Sequence, residues 1–280
     1  MNRQKSFEND KHTLYLVATP IGNLEEMTYR AVNILKEVDY IAAEDTRNTI
    51  KLLNHFDIKK KLISHHEHNI AQSSKKIIEL LKDANIALVS DAGYPAISDP
   101  GYELVCQVIE AGYNVVPISG ANACLNALVV SGIVPQPFMF YGFLNHSDKI
   151  KKKELENLKN YRETIVFYES PHRIKKTLEL MMQYFGNRQI AMCREITKKH
   201  EEIIRGTIEE VLTVVNGLKG EMVIVVEGDK QLQEVVFELS INEQIEQYIQ
   251  DGLTSKEAIK KVAKERNIAK NEVYKSYHLD

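Results

Sequence analysis

The chain has 280 residues, room for about two domains of ordinary size. It is 44% hydrophobic and 27% charged with a net charge of −3, which excludes a disordered chain and gives no overall positive charge to draw in a polyanion. No apolar run approaches the roughly 20 residues that span a bilayer, and the N-terminal stretch from Met1 to His12 lacks the apolar core of a secretory signal, so a cytoplasmic protein is expected.

In chain order, Thr13 to Ala18 reads as a strand running into the turn Thr19-Pro20-Ile21-Gly22-Asn23. Thr28 to Glu37 reads as a helix and Val38 to Ala43 as a strand entering Glu44-Asp45-Thr46-Arg47. Ser73 to Leu81 is an amphipathic helix and Ile86 to Val89 a buried strand. That strand enters SDAGYPAISDPG, Ser90 to Gly101, which is too rich in Gly and Pro for helix or sheet. Tyr102 to Ala111 is a helix stopped by Gly112, followed by the strand Tyr113 to Ile118 and a linking helix, Ala121 to Val130. Strands alternating with helices predict a parallel sheet with its working loops at the carboxyl ends of the strands.

The stretch Ser131 to Pro137 breaks the pattern, which then restarts. Phe138 to Phe143, Thr164 to Tyr168, Gln189 to Arg194 and Met222 to Val226 read as strands, and Ile174 to Tyr184 as a helix ended at Gly186. The expectation is an α/β protein of two domains, residues 1–120 and 121–230, with a cleft between them. Residues 231–280 form a helical, helix-turn-helix-like extension, in which Thr254 and Glu257 make a capping box. Cys106, Cys124 and Cys193 are odd in number and make no CxxC pair, so they read as reduced structural thiols.

No glycine-rich phosphate loop is present: there is neither G-x-G-x-x-G after the first strand nor a G-x-x-x-x-G-K-[ST] anywhere. The run Ser64-His65-His66-Glu67-His68-Asn69 fits no zinc pattern, so no metal is expected. Lys149 with Lys151 to Lys153, Arg173 with Lys175 and Lys176, and Lys198 with Lys199 and His200 are local basic clusters. Each is a candidate anion-binding patch or an ordinary solvated face.

Four ordered motifs, TPIGNL from Thr19, EDTR from Glu44, SDAGYPAISDPG from Ser90 and FYESPHR from Phe167, resemble the ribosomal RNA methyltransferases of the tetrapyrrole methylase superfamily. The likeness covers roughly Leu14 to Gly228. It departs from the family pattern at Tyr94, where a small residue is usual, and at Ser119 to Ala123, where PGPSA is usual. The resemblance implies a bilobal homodimer. It also implies methyl transfer from S-adenosyl-L-methionine to a cytidine ribose 2′-hydroxyl in small-subunit ribosomal RNA, naked or in the assembled subunit. Methylation of a small tetrapyrrole-like substrate and a ligand-sensing nucleic-acid-binding protein are the alternatives.

S-adenosylmethionine carries no phosphate, which agrees with the missing phosphate loop. Asp91, Ala92 and Gly93 offer a carboxylate and close backbone approach, and Ile97 an apolar wall. Capping its own turn is the alternative role of Asp91. The resemblance adds Asn122, Ala123, Phe167, Tyr168, Gly206 and Thr207 to the cofactor site, and Pro20 lies in the turn on the same edge. Asp45 is the candidate catalytic residue, accepting a proton from the ribose hydroxyl or orienting it, with Arg47 holding phosphate or ribose oxygens. An internal Asp45–Arg47 pair or a helix cap is the competing role. Arg173, Arg194 and Lys198 are candidate substrate contacts; the alternative is a solvated face for Arg173 and structural ion pairs within the segment Arg194 to Glu202.

Overall fold

The computed structural model describes residues 3–230, 239–266 and 268–279. The chain divides at Asp229–Lys230 into two compact units. The expected start of the helical extension, Gln231, lies outside the described residues.

The larger unit holds two five-stranded sheets. The first is built from β1 (Thr13–Val17), β2 (Tyr40–Ala43), β3 (Lys61–Ser64), β4 (Ile86–Val89) and β5 (Asn114–Ile118), in the order β3-β2-β4-β1-β5, every pair parallel. The crossovers include α1 (Tyr29–Glu37), α2 (Thr46–His55), α3 (Ile70–Leu80) and α4 (Tyr102–Glu110). Helices cover both faces: Ala31, Leu35 and Leu53 pack with Val17 and Ile41 on one side, Ile77, Leu104 and Val108 with Leu14 and Leu88 on the other. β4 is buried at all four positions, as a central parallel strand must be.

The second sheet follows α5 (Ala123–Val130) and contains β6 (Phe138–Phe143), β7 (Thr164–Glu169), β8 (Gln189–Arg194), β9 (Glu202–Thr207) and β10 (Met222–Val226), in the order β6-β7-β10-β8-β9. Only β6 and β7 run parallel; β10 is antiparallel to both its neighbours and β8 to β9. α6 (Asp148–Leu158), α7 (Ile174–Phe185) and α8 (Ile208–Val214) complete this half. The strands read from sequence agree with the observed ones to within two residues. Not read from sequence were β3, β9, α2, α6 and α8; of these β3 spans only four residues, and α6 is so dense in Lys and Glu that its apolar period is blurred.

The smaller unit contains α9 (Ile241–Gln250), α10 (Ser255–Glu265) and α11 (Lys270–Leu279). Ser240 and Thr254 each close a full capping box, with Glu243 and Glu257.

Candidate active site

Three loops at the carboxyl edge of the first sheet are tied together by main-chain and side-chain hydrogen bonds. Thr19 N–H donates to the Gly93 carbonyl at 2.9 Å and Gly93 N–H returns to Thr19 at 3.0 Å, while the Thr19 hydroxyl donates to the Ser90 carbonyl. Gly93 sits at φ +75°, a conformation open to glycine and strained for other residues. The Gly120 N–H donates to the Tyr94 hydroxyl at 3.3 Å, which joins the third loop. The two departures from the family pattern, Tyr94 and Ser119 to Ala123, therefore meet in space. Gly120 itself leaves room for Ala18: a Cβ there would lie 2.9 Å from the Ala18 methyl.

Against these loops lies a cleft of about 530 Å³. One wall is Gly93, Tyr94, Ile97 and Asp99; the other is Phe138, Phe140, Phe143 and Tyr168 of the second sheet, with Met222. The first residues of α5 open onto it, and its N-cap Asn122 uses the side-chain carbonyl to hold Leu125 N–H at 2.9 Å. That helix end presents partial positive charge to the cleft. The aromatic wall depends on a β-bulge: the pairing of β6 with β7 shifts between Phe140 and Gly142, so Tyr141 is an extra residue. Strict alternation would turn Phe143 away from Phe138 and Phe140; the bulge brings all three to the cleft.

Of the cofactor candidates, the cleft gathers Ala92, Gly93, Ile97, Asn122, Ala123 and Tyr168. Phe167 does not line it. Neighbouring residues of a strand face opposite ways, and Phe167 is buried in the core on the far side of β7 with Ile165 and Leu178. Thr207 caps α8, accepting from Glu210 N–H, while Gly206 packs on the Glu210 side chain. Pro20 is in the loop, but Ile21 supplies the contact with the cleft. Asp91 is exposed and accepts from Asn48 at 2.8 Å and does not line the cleft; the carboxylate residues that line it are Asp99, Glu169 and Glu221. Burial pushes the Asp99 carboxyl above the ordinary aspartate range, tempered by the nearby Ser90 hydroxyl. Glu44 is likewise raised, first by burial and then by the charges of Asp99 and Asp91.

Asp45 and Arg47 form a closed pair. Arg47 Nε lies 3.0 Å from Asp45 Oδ1 and Nη2 2.6 Å from Oδ2, a bidentate fork, and Asp45 also caps α2 through Arg47 N–H at 2.8 Å. These hydrogen bonds hold the Asp45 carboxyl down at about 2. The guanidinium is 85% exposed and keeps donors for a second partner. Arg173, Arg194 and Lys198 also have internal partners. Arg173 Nε stands 3.1 Å from Glu169, Arg194 pairs with Glu202, and Lys198 bridges Glu195 at 3.0 Å and Glu221 at 2.8 Å.

FYESPHR is anchored from below by buried polar groups. Glu169, 3% exposed, accepts from Ser170 N–H at 2.8 Å and from the Thr177 hydroxyl at 2.6 Å; Lys151, 2% exposed, donates to Thr177 at 3.1 Å. Burial, with the Arg173 charge, lowers the Lys151 pKa. Pro171 lies in the turn before α7, which begins at Ile174.

The profile of the Tetrapyrrole (Corrin/Porphyrin) Methylases matches residues 13–212. The chain belongs to the tetrapyrrole methylase family. Within the family it is 56% identical, over 100% of its length and 99% of the relative, to a Bacillus subtilis protein named ribosomal RNA small subunit methyltransferase I. Proteins of the same name from Halalkalibacterium halodurans and Synechocystis share 51% and 42% identity, over 100% and 93% of this chain and 100% and 95% of the relatives. Among solved structures, uroporphyrin-III-C-methyltransferase from Thermus thermophilus superposes with a TM-score of 0.56 at 18% identity, covering 78% of this chain and 94% of that one. Diphthine synthase gives 0.58 at 13%, covering 77% and 90%. These structures establish the family fold.

The cleft fits the family's cofactor, S-adenosylmethionine. Its aromatic and aliphatic walls suit an adenine, and the Asp99 carboxylate suits a sulfonium or ammonium cation. Burial pushes the Cys124 and Cys193 thiols up to about 11, so neither is a ready nucleophile.

Proposed function

We propose that this chain methylates a cytidine ribose 2′-hydroxyl of small-subunit ribosomal RNA, using S-adenosylmethionine. The observation that carries the reading is the full-length likeness to proteins named as methyltransferases of small-subunit ribosomal RNA, at 56% and 51% identity. When bound, the cofactor supplies an electrophilic methyl group on a cationic sulfur. Asp99 would face its cationic part, and the aromatic wall with Ile97 would exclude water and hold the flat base. Arg47, at the neighbouring strand end, would hold a phosphate or ribose oxygen, with Asp45 fixing the guanidinium. A carboxyl held at about 2 is a weak proton acceptor at neutral pH, so the geometry favours the orienting role for Asp45. Residues 1–120 and 121–230 are read as the two lobes around the cleft, in a cytoplasmic enzyme. Transfer of labelled methyl groups to small subunits, to naked ribosomal RNA and to tetrapyrroles tests the reading. Label in the tetrapyrroles alone would refute it.

The Asp99 environment gives a pH signature. Its carboxyl is raised in the free protein, and a bound cation lowers it, so binding expels a proton wherever Asp99 is protonated. Cofactor affinity measured by calorimetry should therefore rise with pH through the acid range and level off once Asp99 is ionised. In Asp99→Asn the slope should vanish and the neutral-pH affinity should fall about 10-fold, the loss of one charged hydrogen bond. An unchanged slope would remove Asp99 from the cation site.

A homodimer is the second part of this reading. On α5, Leu125 and Val129 are exposed one turn apart, Val129 at 74%, beside exposed Val130 and Val134. An apolar helix face of this kind is suited to a second copy. Light scattering should give a dimer mass for the native chain and a monomer for Val129→Glu. A monomeric native chain would refute the dimer.

A further inference from the structure

The smaller unit separates its charges by role. Its core is Ile245, Ala258, Ile259, Val262, Ala263 and Val273. Three of its acids are occupied internally: Glu243 and Glu257 close the capping boxes, and Glu265 accepts from Gln244 and from the Tyr248 hydroxyl, both at 2.8 Å. The cations differ. Between Lys256 and Lys275 the sequence has seven cationic and three anionic residues. Lys256, Lys260 and Lys264 are all exposed, and they occupy successive turns of α10 away from its buried face. Four residues of helix rise about 6 Å, so the three ammonium groups run along α10 at roughly that interval. None has a carboxylate within ion-pair distance among the described residues. On α11 the Tyr274 ring is 54% exposed and lies 4.4 Å from the His278 ring.

A row of uncompensated lysines with an exposed aromatic pair on the next helix is the chemistry that binds a single-stranded or looped nucleic acid: ammonium groups on phosphates, a ring beneath a base. We propose that the Lys256–Lys260–Lys264 row, with Tyr274, is an RNA-backbone binding surface that secures the substrate RNA while the cleft of the larger unit modifies it. The proposal rests on the ribosomal RNA reading. Lysines act as point charges and not as bidentate base readers, so this surface contributes affinity while target choice lies elsewhere.

The test is the full chain carrying Lys256→Gln, Lys260→Gln and Lys264→Gln together, with a fluorescent RNA of the small-subunit decoding region as probe. At about 0.1 M salt the RNA dissociation constant should rise at least about 10-fold. The slope of log affinity against log salt should shrink by about 2, the value for three lost phosphate contacts on single-stranded RNA. In methyl transfer, KM for RNA should rise with kcat and cofactor affinity unchanged. Tyr274→Ala should weaken RNA binding with no change in salt slope. Unchanged RNA affinity and slope in the triple variant would overturn the proposal, even where the native chain methylates ribosomal RNA. Weaker binding to assembled subunits with unchanged binding to naked RNA would assign the row to a ribosomal protein and also overturn it. If the native chain binds RNA through the row but transfers no methyl group to ribosomal RNA, the proposed reaction fails and the surface stands.

Discussion

Arg47→Ala should reduce kcat/KM for ribosomal RNA by about 10–150-fold while leaving cofactor affinity within twofold. The size is that of one hydrogen-bonded charge, about 1.5–3 kcal/mol. The selectivity follows from sign: a guanidinium has nothing to offer a cationic sulfonium but suits a phosphate or ribose oxygen. Its fork to Asp45 pre-orients it at 3.0 and 2.6 Å, and its 85% exposure leaves it open to a ligand. Asp45→Asn keeps the shape and one acceptor oxygen but loses the charge. Single-turnover methylation should slow about 10-fold, with the low-pH limb of the rate profile unmoved, because a carboxyl held at about 2 does not titrate in the working range. An NMR titration gives the physical control. Asp45 should titrate at about 2 in the native chain and move toward the unperturbed value of about 3.9 in Arg47→Ala. Full activity of both variants on intact small subunits would remove this pair from the reaction. A low-pH limb that disappears in Asp45→Asn would restore Asp45 as the proton acceptor.

Glu169→Ala should lower the stability of the larger unit by about 3–5 kcal/mol, the range for breaking one side of a buried charged pair. For a domain of this size that is roughly 6–20 °C in the first melting transition. The carboxylate accepts from Ser170 N–H and the Thr177 hydroxyl and ion-pairs with the Arg173 guanidinium at 3.1 Å, all within the eight residues that follow it. Its removal leaves Thr177 as the remaining acceptor for buried Lys151 and strands the Arg173 charge. Glu169→Gln should cost less, because the amide oxygen still accepts from Thr177. Adding Lys151→Met to Glu169→Ala should recover part of the loss, because it removes the buried cation left behind. Denaturant unfolding of the three variants and the native chain decides. Equal stability of Glu169→Ala and the native chain would mean that this network contributes nothing to the fold.

The sequence by itself determined the parallel sheet and the edge on which its ligand loops gather. Buried parallel strands write themselves as continuous apolar runs such as Ile86 to Val89, and loop chemistry follows at once in SDAGYPAISDPG. Capping boxes are equally local, so Thr254 and Glu257 could be read four residues at a time. The four family motifs were legible for the same reason: each is contiguous. The partners of those motifs were not. Arg194 looks the same in sequence whether it faces an RNA or a carboxylate, and only the pairing of β8 with β9 brings it to Glu202. The meeting of Tyr94 with Gly120 joins residues from two loops. The aromatic wall is the sharpest case. Phe138 and Phe140 share a face by strand period, but Phe143 joins them through a bulge that Gly142, at φ +79°, accommodates. A bulge shifts side-chain phase by one residue, and its position is set by pairing with β7, so it arises only when the two strands meet. The same alternation decides that Tyr168 enters the cleft and Phe167 the core. The choice between them depends on which face of the second sheet meets the first sheet's loops, and that is a property of the packed fold.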